Sequence, residues 1–105
     1  MKFKQGVKIF GARSELVFAA LVVDSAYKQH NEEAVITSVT ESKHSYGSFH
    51  KNGLAMDVRT KGIEDKKKRA IFREIKAGLT DEFDVILESL GQPQEHIHIE
   101  FQPKS

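Results

Sequence analysis

Histidine and aspartate recur in two short stretches of this 105-residue chain. The first, SFHKNGLAMDV, contains His50 and Asp57, and the second, EHIHIEF, contains His96 and His98. Two neutral imidazoles and one carboxylate, with a fourth position left to water, make the ligand set of a catalytic zinc site. The chain has no cysteine, so any metal must be held by His, Asp or Glu. The two stretches therefore predict a metal site, provided that the fold brings them together.

Alternation along two predicted strands indicates which of these side chains can meet. In HIHIEF, residues 96–101, the apolar side chains point one way and both histidines point the other. In LAMDVR, residues 54–59, Asp57 lies on the face opposite the apolar side chains. If these strands are neighbours, Asp57 can meet one of the histidines. His50 can close over them from the preceding loop.

The chemistry of such a site needs a proton carrier as well as a metal. Zinc lowers the pKa of its bound water from 15.7 to about 7, and a positioned carboxylate that moves the proton contributes roughly 10² to 10⁴ in rate. Glu95, just ahead of HIH, is placed for this role. In a regular strand its side chain would point to the face opposite His98. It must therefore lie before the regular part of the strand. Glu88 and Glu100 are candidates for orienting a metal-bound histidine.

The pattern of the whole chain predicts the elements that would position these residues. The order is helix, two strands, helix, two strands, which favours an α+β domain with helices on one face of a small, largely antiparallel sheet. The other face is then free to carry a site. The predicted elements are a helix over Ser14–His30, strands over Ala34–Val39 and Leu54–Arg59 with a loop over Thr40–Gly53 between them, a helix over Glu64–Leu79, and strands over Phe83–Ser89 and His96–Phe101.

Composition and charge indicate one domain over residues 1–105 and exclude some partners. The 16 basic and 15 acidic side chains give a formal charge of +1. This charge is too small to attract nucleic acid or an anionic membrane surface. We expect neither partner, and a monomer. The run EDKKKR is expected to be a solvated helix face, with Glu64/Lys68 and Asp65/Arg69 as i,i+4 pairs.

The apolar run LVFAALVV resembles a short signal peptide, because basic residues precede it. Glu15 abuts the run, however, and no clear small-x-small cleavage site follows it. Ser14 is placed as a helix N-cap. A helix that is apolar on nearly all faces is normally buried in the core. We therefore expect a core helix and no export signal.

The two stretches also resemble the motifs of a known family. SFHKNGLAMD fits S-x-H-x-x-G-x-A-x-D, and EHIH fits the acidic-residue, two residues, histidine motif, of the zinc D-Ala-D-Ala carboxypeptidase and L-alanyl-D-glutamate peptidase family. The resemblance covers Ile36 to Phe101 in the correct order. These enzymes cut bacterial cell-wall peptides and share a fold with the Hedgehog signalling domain, so the resemblance implies that fold.

Carried over by position, the resemblance implies one zinc ion bound by His50, Asp57 and His98. The residues themselves leave open that His96 is a ligand in place of His98. The resemblance further implies that Glu95 is the general base.

Two more roles follow from the same resemblance. His96 is similar to the family's histidine that orients or stabilises the transition state. Ser48 is similar to a residue that contacts substrate or steadies the loop.

The chain departs from the family pattern in one place. Family members generally carry an arginine upstream of the S-x-H motif that holds a substrate oxygen, but no arginine lies between Arg13 and Arg59. Lys43 is one candidate for this charge, without a bidentate fork. Arg59, on the face of Asp57, is the other. Which peptide bond is cut stays open.

These observations predict a zinc peptidase that cleaves peptidoglycan stem peptides by attack of a zinc-bound water. The alternative is a zinc-stabilised binding domain of the same fold that has lost hydrolysis. By fold-level analogy, a small chain of this kind is a phage or prophage enzyme. It is expected to be made in the cytoplasm without its own signal peptide and to act on the cell wall after release or as a virion component.

Overall fold

The structure, a computed structural model, describes residues 1–7, 14–43 and 52–102. Its elements alternate between a sheet and two helices in the order β1, α1, β2, β3, α2, β4, β5. Their bounds are β1 (Lys2–Phe3), α1 (Ser14–Gln29), β2 (Val35–Lys43), β3 (Asn52–Arg59), α2 (Asp65–Gly78), β4 (Phe83–Glu88) and β5 (His96–Phe101).

The strands form one mixed sheet in the order β1-β2-β3-β5-β4. Only the β1/β2 pair is parallel, and the other pairs are antiparallel. The predicted α+β class and the largely antiparallel sheet are therefore confirmed. β1 was not predicted, because two residues are too short to show a period of two. Its pairing is fixed by the Lys2 and Lys4 N–H groups, which donate to the carbonyls of Ala34 and Ile36 at 2.7 and 2.8 Å.

Both helices pack against one face of the sheet, as predicted. Ile71 and Ile75 of α2 are fully buried in a single core with side chains from α1 and from four strands. Each such side chain contributes roughly 1.5–3 kcal/mol by leaving water. The sheet supplies Ile36, Met56, Val58, Val85, Ile97 and Ile99 to this core. The alternate residues of β3 and β5 project from the opposite face of the sheet.

Helix α1 packs in the core, as expected, but only one of its faces is buried. Leu16 and Val23 are buried, but Val17 is 52% exposed and Leu21 is 61% exposed. One layer of sheet covers only one stripe of a helix, so the remaining apolar side chains face outward. Within the described ranges, neither helix has the length and apolar character that crossing a bilayer requires.

The loop predicted over Thr40–Gly53 was too long. β2 continues to Lys43 and β3 begins at Asn52, and the two strands pair residue by residue from Thr40/Ala55 to Lys43/Asn52. The polar composition of this stretch is typical of a loop. A strand with a neighbour satisfies its backbone groups whatever its side chains are, so pairing overrides composition here.

Candidate metal centre

Strand register sets the position of the candidate metal ligands. In the antiparallel β3/β5 pair, Asp57 lies directly opposite His98 and Arg59 opposite His96. Because the neighbouring apolar residues occupy the core face, these polar side chains project from the opposite face. Asp57 Oδ1 lies 2.7 Å from His98 Nδ1 and 3.6 Å from His96 Nε2. The fold thus brings three candidate ligands from two rigid strands to one place.

The geometry of this cluster suits a metal ion. One ligand atom from each of Asp57, His96 and His98 lies within 4.8 Å of the others. Zinc bonds of roughly 2.0–2.2 Å in a tetrahedral arrangement set ligand atoms roughly 3.3 Å apart. The 3.6 Å between Asp57 and His96 is close to that value. The 2.7 Å between Asp57 and His98 is a hydrogen-bond distance, which a small rotation of either side chain would lengthen.

The contacts of His96 indicate a need for positive charge. Its Nδ1 lies 2.8 Å from the Gln94 carbonyl oxygen, an acceptor, so Nδ1 carries a hydrogen and donates it. Its Nε2 lies 2.9 Å from Glu88 Oε1 and 3.6 Å from Asp57 Oδ1. In the neutral ring, the Nε2 lone pair would face two carboxylates. A metal ion at this point would remove the repulsion.

His98 is in a similar position, because both of its ring nitrogens face carboxylates. Nδ1 faces Asp57 at 2.7 Å and Nε2 faces Glu100 at 3.1 Å. Burial lowers the pKa of His98, but the hydrogen bonds to Glu100 and Asp57 outweigh it and raise the pKa above its ordinary value. Glu100 is therefore placed to hold Nε2–H and to leave Nδ1 for a metal ion, as metal-bound histidines usually require.

Glu95 lies just before β5, as its parity required, and its side chain is buried. Oε1 accepts hydrogen bonds from the Lys68 ammonium at 2.8 Å and from the Gly91 N–H at 2.9 Å. Oε2 accepts one from the Thr60 hydroxyl at 2.5 Å. These contacts tie the end of β3, α2 and the turn before β5 together.

The same contacts set the acidity of Glu95. Burial raises its pKa, but the hydrogen bonds from Gly91, Lys68 and Thr60 outweigh burial and lower the pKa to about 2. A carboxylate this acidic is a weak base toward a zinc-bound water of pKa about 7. To act as the base, Glu95 has to exchange some of these donors for the water.

Lys68 corrects the expectation that the run EDKKKR is a solvated face. Arg69 pairs with Asp65 at 2.9 Å, as predicted, but Lys68 is buried and pairs with Glu95 instead of Glu64. The sequence carried a signal for this, because Lys68 lies three and seven residues before the buried Ile71 and Ile75. It falls on the apolar stripe of α2.

A cleft of about 390 Å³ opens beside the cluster. Asp57, His96, Glu95, Arg59 and Lys4 are among the residues that line it. Arg59 is on the face of Asp57, as predicted, and it lines the cleft. Lys4 was missed, and no local signal reveals it, because only the parallel pairing of β1 brings it to this place.

Other predicted site residues are less fully described. Ser48 and His50 lie outside the described residues, so their roles stay predictions. Lys43 is the last residue of β2, paired with Asn52, and its role as the substrate cation also stays a prediction. Of the ligand set implied by the resemblance, Asp57 and His98 are brought together. In the described ranges the third member of the cluster is His96.

Comparisons of the chain with protein-family models, with curated proteins and with solved structures each found no match. The function has to be inferred from the residues of the site and their geometry.

Proposed function

We propose that this protein is a zinc-dependent peptidase that cleaves peptidoglycan stem peptides, at either the D-Ala-D-Ala or the L-Ala-D-Glu bond. The observation that carries the proposal is the cluster of Asp57, His96 and His98, whose imidazole nitrogens face carboxylates. This arrangement calls for a cation, and its donor set of nitrogen and carboxylate oxygen suits zinc. The two sequence motifs, in the family's order, support the peptidase reaction and the Hedgehog/DD-peptidase fold.

In this proposal Asp57 and His98 hold the zinc ion with His50 as the third ligand. His96, whose Nε2 is 3.6 Å from Asp57 Oδ1, lies beside the metal and steadies charge on the substrate oxygen. When bound there, a zinc ion would supply Lewis-acid activation of a water and of the scissile carbonyl. Glu100 keeps His98 in the metal-binding tautomer, because it accepts the Nε2–H.

Glu95 moves the proton from the attacking water to the leaving amine. It lines the same cleft as Asp57 and His96, but its carboxylate is held by Lys68 of α2, on the helix side of the sheet. The proposal requires the Thr60 or Lys68 contact to loosen when substrate and metal are bound, since the present contacts hold its pKa at about 2.

The proposed setting is bacterial cell wall. By analogy with small enzymes of this kind, the chain acts as a monomeric phage or prophage hydrolase. It reaches the wall after release or as part of a virion.

A second candidate function is a zinc-stabilised binding domain without hydrolysis. The specific observation that favours it is the saturation of the Glu95 carboxylate by three donors, Lys68, Gly91 and Thr60. A group held in this way stabilises the fold and is a poor base. In this function the metal would support the sheet face and the cleft would bind a peptide without cutting it.

One experiment separates the two candidates. Zinc stoichiometry is measured, and purified muropeptides are then digested with the wild type, Glu95→Gln and Lys68→Met, with products identified by mass. Both variants remove the same buried ion pair, but only Glu95→Gln removes the base. We expect Glu95→Gln to lower the rate by roughly 10² to 10⁴ and Lys68→Met to keep cleavage in its folded fraction. Bound zinc without cleavage by the wild type indicates the binding domain.

A further inference from the structure

The cleft beside the cluster is lined by charged side chains of both signs. Asp57, Glu95 and His96 are among the residues that line it. Lys4 and Arg59 also line the cleft, and both are exposed. Within the part of the chain that the structure describes, neither cation has an ion-pair partner. Two free cations next to a metal centre are suited to bind an anionic group of a ligand.

Both cations are carried by backbone that is fixed in place. The Lys4 N–H donates to the Ile36 carbonyl at 2.8 Å, which holds the end of β1 against β2. The Arg59 carbonyl accepts a hydrogen bond from the buried Tyr27 hydroxyl at 2.8 Å, and Arg59 pairs with His96 in the sheet. Their side chains therefore start from rigid positions, which lowers the entropy cost of binding a ligand.

Between the two cations the sheet is irregular. The pairing of β2 with β3 shifts between Ile36 and Ser38, so Thr37 is an extra residue in a β-bulge. Such bulges increase twist and redirect side chains. Thr37 and Ser38 line the cleft with Lys4 and Arg59. The wall near the cations is thus polar as well as positive.

We propose that Lys4 and Arg59 together bind a carboxylate group of the peptide that occupies this cleft. Arginine matches a carboxylate with two parallel N–H donors, and the lysine adds a point charge from a different strand. At about 390 Å³ the cleft is near the lower end of small-ligand sites, which suits a short peptide segment. In identifying the ligand as a peptide, the inference rests on the proposed function.

The test uses the pentapeptide L-Ala-γ-D-Glu-L-Lys-D-Ala-D-Ala and two analogues. One analogue has a C-terminal amide and the other has the α-carboxyl group of its D-glutamate amidated. Dissociation constants are measured by calorimetry on the metal-free full chain, in which no zinc-dependent cleavage interferes. We expect one of the two amidations to weaken binding by about tenfold, because a hydrogen bond between charged groups is worth about 1.5–3 kcal/mol. The affected analogue identifies which carboxylate is bound.

The variants Lys4→Gln and Arg59→Gln test the residues. Each is expected to remove most of the preference for the carboxylate ligand and to leave affinity for the corresponding amide unchanged. Lys61→Gln is the matched control, because it removes an exposed positive charge close by in sequence that does not line the cleft. It should behave as wild type. Equal binding of all three peptides by wild type, or a preference retained in the Lys4→Gln/Arg59→Gln double variant, would overturn the inference.

The peptidase proposal can fail separately. With zinc-loaded wild type, absence of cleavage together with the carboxylate preference would contradict the peptidase function and leave the carboxylate site standing. Cleavage of pentapeptide and both amides with equal KM would keep the peptidase function and contradict the carboxylate site.

Discussion

Asp57 and His98 face each other across the β3/β5 pair, with Asp57 Oδ1 and His98 Nδ1 2.7 Å apart. Both side chains project from strand interiors whose opposite faces are locked in the core. Their relative position therefore depends on sheet register and not on a loop. A metal centre built on this pair would be formed before any metal binds, and the predictions below follow from this.

Replacing His98 by Gln should abolish stoichiometric zinc binding. Loss of an outer hydrogen-bond partner already costs roughly 10–100-fold in metal affinity, so loss of a ligand should cost more than about 100-fold. Zinc content after dialysis, measured by elemental analysis, checks this. His30→Gln is the control, because His30 contacts Glu74 away from the cluster. Equal zinc content in wild type and His98→Gln would exclude His98 as a ligand.

Glu100→Gln should weaken zinc binding without abolishing it. The carboxylate lies 3.1 Å from His98 Nε2, and the substitution replaces it by a neutral amide oxygen, a weaker acceptor for the ring N–H. We expect a decrease of roughly 10–100-fold in zinc affinity, measured by competition with a chromophoric chelator. Glu15→Gln, a change at a partly buried position of α1, should have no effect. An unchanged affinity in Glu100→Gln would show that Glu100 does not orient the ligand.

The variants His50→Gln and His96→Gln identify the third ligand. We expect His50→Gln to lose zinc, and His96→Gln to keep zinc but lose most cleavage, since His96 steadies charge beside the metal. Zinc content and cleavage rate are measured on the same samples. The reverse pattern, with zinc lost in His96→Gln and kept in His50→Gln, would make Asp57, His96 and His98 the ligand set.

Lys68→Met should destabilise the fold by about 3–5 kcal/mol, because it leaves the Glu95 carboxylate buried without its charged partner. Urea denaturation measures the change in the free energy of unfolding. Lys67→Met is the matched control: Lys67 pairs with Glu32 at 3.0 Å nearer the surface, where ion pairs contribute about 0–1 kcal/mol. Similar losses in the two variants would argue that the Lys68–Glu95 pair has no special structural role.

Low pH should lower the free energy of unfolding of the wild type, because Glu95 becomes protonated. Its pKa is lowered to about 2 in the folded chain, from 4.5, so the unfolded chain takes up the proton first as pH falls. The contribution is complete above about pH 5 and is lost progressively toward pH 2, and it amounts to about 3 kcal/mol. Urea unfolding measured from pH 7 to pH 3 should show a steeper loss for wild type than for Glu95→Gln. Parallel curves would contradict this.

Part of this site could be predicted from the alternation of single strands. The sequence HIHIEF separates an apolar face from a polar face without ambiguity, and β5 has the predicted bounds. The same reasoning placed Asp57 and Arg59 on the polar face of β3. The face that a side chain takes depends only on its position along its own strand, so one sequence is enough to predict it.

Other features depend on contacts between distant segments. Lys4 reaches the cleft only because β1 pairs with β2, and two residues carry no pattern that predicts this pairing. The extension of β2 to Lys43 follows from its pairing with β3, since its own composition is polar. Glu95 could be placed before β5, but its burial against Thr60 depends on how the end of β3 meets the turn before β5.

The measurement that tests the central claim most directly is zinc stoichiometry combined with the mass of muropeptide digestion products on one purified sample. The account predicts one zinc ion per chain, loss of that ion in His98→Gln, and products shortened by one D-alanine or cut between L-Ala and D-Glu. A chain that binds no zinc at neutral pH would contradict both the peptidase and the zinc-stabilised binding domain.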